Sequence, residues 1–159
     1  MDAKQKRMLE AVKTALMTEI KGQQLYSHAV TTTTDSAAKA MFEALARDEE
    51  EHVAILKAQY KSLLATGKMD LCAVHPAEAD HGSAPIIDDA FRAAVKRGTF
   101  EMAVVGIGCD LENKAIAFYR AEAAKAEDPD LKKIFGWLAE WEVGHLEHLM
   151  EIEKVMQDA

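Results

Sequence analysis

The chain has 159 residues, 49% of them apolar and 29% charged, which suits one compact domain of ordinary globular composition. A formal net charge of -8 with no basic tract argues against nucleic acid as a partner. Cys72 and Cys109 form no CxxC, which excludes a rubredoxin-like iron site, and with the charged, helix-patterned start MDAKQKRMLEAV they lead us to expect a cytoplasmic protein.

Residues from about 3 to 31 are expected to form a first helix, because Met8, Val12, Ala15, Leu16, Glu19, Gln23 and Tyr26 recur at three- and four-residue steps. The run Thr31 to Thr34 disfavours continuation, since β-branched side chains crowd a helix, and Asp35 or Ser36 suits the next N-cap. A second helix carries Met41, Phe42, Leu45, Glu49, His52, Ile55 and Leu56 to about residue 66, with Gly67 as its stop. Residues 67–98 are expected to form a crossover: an irregular stretch to about 85, then a short helix over about 87–96. Such a crossover lets two helical hairpins stack. A third helix is expected over about 99–126. Its apolar run, Met102 to Cys109, is far too short to span a bilayer, so no membrane partner is expected. Asp128-Pro129 is an N-cap followed by proline at the first helical position, opening a fourth helix to about 155. The expected class is all-α: a four-helix bundle occupying residues 1–159 as a single domain.

One pattern occurs twice. Glu19, Tyr26, Glu49 and His52 are matched by Glu112, Tyr119, Glu142 and His145, each 93 residues later. The offset also pairs Val12 with Val105, Asp35 with Asp128, Lys39 with Lys132, Phe42 with Phe135, Leu45 with Leu138 and Ala46 with Ala139. Caps, core and chemistry duplicate in one register, which predicts two hairpins about a pseudo-twofold axis with a shared site on it.

Each glutamate alone reads as part of a solvated helix face. The set reads differently. Four carboxylates and two imidazoles on four helices are the ligand set of a dinuclear carboxylate centre in a bundle. In Glu-x-x-His the two side chains share a helix face one turn apart, so His52 and His145 would each serve one metal while Glu49 and Glu142 bridge. Glu19 and Glu112 would be terminal ligands. Oxygen and imidazole donors without thiolate suit iron or manganese, and zinc adventitiously. Tyr26 and Tyr119, two turns beyond Glu19 and Glu112, are placed to donate to a ligand carboxylate across the axis.

These motifs, Glu19-x6-Tyr26, Asp48-Glu-x-x-His52, Glu112-x6-Tyr119 and Glu142-x-x-His145, resemble the ferritin-like di-iron domain of the rubrerythrins. The stretch KAIAFYRAEAAKAEDPDLKKIFGWLAEWEVGHLEHL is especially similar to that family, and the resemblance covers about the whole chain. It implies a ferritin-like bundle, two iron ions, and reduction of hydrogen peroxide or dioxygen. It also implies a homodimer. An iron-oxidising storage or handling protein of the same superfamily is the alternative. The four-cysteine rubredoxin domain of long rubrerythrins has no counterpart here, so electrons would come from an external donor such as a rubredoxin-like protein. Ala115 stands where the family's third helix often carries a further glutamate, and Gly22 at its symmetry mate, which makes this the symmetric six-ligand variety.

Other residues carry plainer expectations. His148 has Ile55 as its counterpart and reads as an edge residue; Trp137 and Trp141 read as packing or interface groups. Gly106 and Gly108 are expected to mark close helix approach, in the core or at a dimer contact. Cys109, one turn before Glu112, reads as a core residue that its closeness to the site exposes to peroxide. His75 and His81, with Cys72, Glu78 and Asp80, are a weaker second metal candidate in the crossover.

Overall fold

The computed structural model describes residues 1–73 and 99–157. They form helices α1 (Ala3–Thr32), α2 (Ser36–Thr66), α3 (Thr99–Lys125) and α4 (Pro129–Gln157), with a 3-10 turn at Leu71–Ala73 after α2. No strand occurs among the described residues. The chain is an all-α four-helix bundle in which α1 packs on α2, α3 packs on α4, and α1 also meets α3. No described helix is long and apolar enough to cross a membrane. The short helix expected over 87–96 and the cluster around His75 and His81 lie outside the described residues.

The hairpin turns are set by local chemistry. Asp35 caps α2 by accepting from the amides of Ala37 and Ala38 at 2.9 and 3.0 Å. Asp128 repeats this for α4, accepting from Asp130 and Leu131 at 3.1 Å each. Each cap satisfies amides that a helix start leaves without partners. Gly67 ends α2 at φ 71°, a left-handed conformation that glycine adopts freely, and its amide donates to Leu63 O at 2.9 Å. A side chain there would also collide with Gln5, which completes the capping box of α1 with Asp2.

The apolar core is divided. One cluster holds Val12, Leu56, Tyr119, Phe135 and Leu138; the other holds Val105, Leu149, Tyr26, Phe42 and Leu45. Each residue of the first is the 93-residue counterpart of one in the second. The duplication therefore exchanges the two clusters, as a pseudo-twofold axis between them requires. Along the four helices Glu19, the pair Glu49 and His52, Glu112, and the pair Glu142 and His145 each fall between stretches belonging to opposite clusters. The polar layer is thus closed at both ends by packed hydrocarbon.

Candidate metal centre

All six sequence-predicted ligands converge in this layer. Glu19, Glu49, Glu112, Glu142, His52 and His145 are each at most 3% exposed. They make two overlapping groups: Glu19, Glu49, His52 and Glu142, and Glu49, Glu112, Glu142 and His145. Within each group one donor atom per residue lies within 4.8 Å of all the others. The second group is the first displaced along the duplication. Glu49 and Glu142 belong to both, as bridging would require. These buried groups could hold metal ions.

The hydrogen bonding shows why a cation fits. His52 Nδ1 lies 2.9 Å from Glu19 Oε2, 2.9 Å from Glu142 Oε1 and 3.5 Å from Glu49 Oε2. One N–H can point along only one of these lines, and the aligned partner is Glu19. Glu49 Oε2 and Glu142 Oε1 are left buried without a hydrogen bond among the described residues. An unmade bond at such an atom costs about 1–3 kcal/mol, more when it is charged. A cation attracts all its neighbours without that directional limit. On the other side, His145 Nδ1 is 3.0 Å from Glu142 Oε2, 3.8 Å from Glu49 Oε1 and 3.9 Å from Glu112 Oε1.

The tyrosines behave as expected. Tyr26 donates to Glu112 Oε1 at 2.5 Å, and Tyr119 donates to Glu19 Oε1. Each phenol on one hairpin thus holds the terminal carboxylate of the other. Glycine at 108 makes room for this: a Cβ there would stand 2.9 Å from the Tyr26 hydroxyl and 3.1 Å from Leu149 Cδ1. Gly22 has a similar place, since its Cβ would come 2.8 Å from Glu49 Oε1. Gly106 has no such neighbour within the chain: a Cβ added there meets nothing within 4 Å.

The imidazoles differ in their outer nitrogens. His145 Nε2 lies 3.2 Å from Asp48 Oδ2, within the wall of a surface groove of about 410 Å³ that His148 also lines. His52 Nε2 is buried with no hydrogen-bond partner among the described residues. The Trp141 ring stands edge-on to His52 at 4.5 Å between centroids, and Trp137 meets Trp141 at 4.7 Å. Asp48 and Trp141 are counterparts in the duplication, just before Glu49 and Glu142 respectively.

Electrostatics follow from burial and crowding. Burial first, then repulsion from Glu142 and Glu49, holds Glu19 and Glu112 well above the usual carboxylate range. Burial also opposes charge on Glu142, but the flanking His52 and His145 outweigh it and hold that carboxyl well below its ordinary value. Burial would keep both rings neutral, yet the negative neighbours, Glu142 foremost, keep His52 and His145 well above theirs. Burial and Glu112 push the Tyr26 phenol up as well. The metal-free layer therefore carries as protons the positive charge that cations would otherwise bring.

Comparison with protein families, curated proteins and solved structures gives no match. The site must speak through its own geometry.

Sequence reasoning missed two things. Glu101 is a further buried carboxylate, receiving a hydrogen bond from Thr33 Oγ1. Asp48 reaches His145 from the other hairpin, and the signal available was a carboxylate beside Glu49 where the repeat has Trp141. Cys109 is buried, as expected for a core residue. Burial, then the Glu153 charge, pushes its thiol up to about 11, which makes it a poor nucleophile despite its position.

Proposed function

We propose that the chain is a rubrerythrin-like, non-haem di-iron oxidoreductase that reduces hydrogen peroxide or dioxygen with electrons from an external donor. The observation that carries this reading is the pair of overlapping ligand groups sharing Glu49 and Glu142. Such a set with no thiolate suits iron or manganese. The cavity bordered by Glu19, Gly22, Glu49, Glu112, Ala115 and Glu142 measures about 10 Å³, space on the scale of one water molecule or a small ion among the carboxylates.

Glu19 and Glu112 would be terminal ligands, Glu49 and Glu142 bridges, and His52 and His145 donors through Nδ1. The iron pair would supply redox electrons and Lewis acidity. The chain's own part is positional. Tyr26 and Tyr119 fix the terminal carboxylates, and the two apolar clusters keep bulk water from the ends of the layer. Reduction of one peroxide to two waters consumes two protons and two electrons, the latter drawn from the external donor.

The test is anaerobic loading with ferrous iron, a count of metal per chain, and addition of peroxide or dioxygen through repeated reduction cycles. About two irons per chain with sustained turnover is expected. Uptake far beyond two would instead favour iron storage or handling. A bound pair that neither oxidant touches would overturn the redox reading.

A further inference from the structure

We propose that the two cation positions of this centre are unequal, and that Asp48 makes the His145 position the tighter of the two. The inference rests on the metal-centre reading and adds to it a positioning residue and an order of filling. For an imidazole to present a lone pair at Nδ1, its proton must sit on Nε2. A partner for that proton fixes the tautomer, holds the ring in line and makes Nδ1 a stronger donor. His145 has such a partner in Asp48 Oδ2, 3.2 Å from its Nε2. His52 has none among the described residues, and its Nε2 is buried.

The inner ring nitrogens differ too, His52 Nδ1 aligning on Glu19 at 2.9 Å and His145 Nδ1 on Glu142 at 3.0 Å, but a cation at either position would replace those contacts. Glu49 and Glu142 are common to both groups. The terminal carboxylates Glu19 and Glu112 each receive a phenol. The duplication repeats the inner ligands and breaks at the residue behind the imidazole, where a carboxylate on one side becomes the Trp141 indole on the other. A cation at the His145 position therefore meets a ring already held for it. At the His52 position it must fix the tautomer itself and leave an N–H buried without an acceptor. Outer partners of this kind are worth about 10–100-fold in metal affinity.

The experiment uses cobalt(II) as probe, with binding followed by its visible absorbance and by calorimetry on the full chain. Two bridged ions repel each other, so two binding steps in the wild type would not by themselves discriminate. Half-site variants do. His52→Ala, which keeps the Asp48-backed ring, is expected to bind one cobalt about 10–100-fold more tightly than His145→Ala. Adding Asp48→Asn should remove most of that advantage in the His52→Ala background and change nothing in the His145→Ala background. If either half-site variant fails to fold by circular dichroism, Asp48→Asn alone is read in the full chain, where the first step should weaken and the second hold. Equal half-site affinities would overturn the proposal, as would an Asp48→Asn effect that is the same in both backgrounds. Absence of any cobalt uptake by the wild type would instead overturn the metal-centre reading itself.

Discussion

Gly22 sits inside α1 with its α-carbon turned toward the Glu49 carboxylate, and a Cβ there would lie 2.8 Å from Glu49 Oε1. Two effects oppose each other at this residue. Alanine is favoured over glycine within a helix by about 1 kcal/mol. The added methyl must also push Glu49 out of the position it shares between the two ligand groups. Glu49 is free to shift while the layer holds only protons, and bridging fixes it once cations bind. Gly22→Ala is therefore expected to leave metal-free stability unchanged or raise it by up to about 1 kcal/mol, while weakening metal binding. Thermal unfolding without metal and a metal titration together check this; equal losses in both would contradict it. The same crowding keeps a further carboxylate out of position 22: no side chain there coexists with Glu49 as placed.

At the scale of the helices, Asp35 and Asp128 perform the same task at duplicated positions. Asp35→Ala and Asp128→Ala are each expected to cost about 1 kcal/mol. The readout is a lower urea midpoint at unchanged slope. Asp128 also faces Lys4 at 3.5 Å, but that pair is solvent-exposed enough to add little. These elements were legible in the sequence because their causes are local. Periodicity and caps lie within a few residues, and the expected spans near 3–31, 36–66, 99–126 and 129–155 agree with the helices to within two residues at each end. The ligands were legible because the duplication fixes their register. Contacts across the bundle were not. Asp48 meets His145 over 97 residues of sequence and Thr33 meets Glu101 over 68, and no local pattern announces either.

For the whole molecule, the proton load of the polar layer governs stability against pH. Glu19, Glu112, His52 and His145 hold protons more tightly when folded than their ordinary values of 4.5 and 6.5 imply. Such groups stabilise fully below the unfolded value, and that contribution is lost as pH rises through the folded one. Glu142 has the opposite sign: its contribution is present above 4.5 and is lost only as pH falls toward its lowered folded value. Four groups against one make the metal-free bundle lose stability as pH rises above 4.5, more steeply above 6.5. Bound divalent cations displace these protons, so their stabilisation should grow over the same interval. Melting temperatures between about pH 5 and pH 8, with and without metal, are expected to diverge upward. A gain on metal addition that shrinks with pH would contradict the proton assignment.

The ligands are shared unevenly among the helices. Both groups draw on α2 and α4 for a glutamate each, and α2 or α4 also supplies the histidine, whereas α1 supplies only Glu19 and α3 only Glu112. Opening α1 or α3 releases one donor from one group; opening α2 or α4 dismantles both. With cations bound, local fluctuations of α2 and α4 should become nearly as costly as global unfolding, leaving α1 and α3 as the routes of ion exchange. Amide hydrogen exchange is expected to record this as metal-induced slowing concentrated around Glu49 and Glu142. The bundle would then behave as two clamped helices flanked by two hinged ones, a mechanical division that the duplicated ligand pattern does not by itself display.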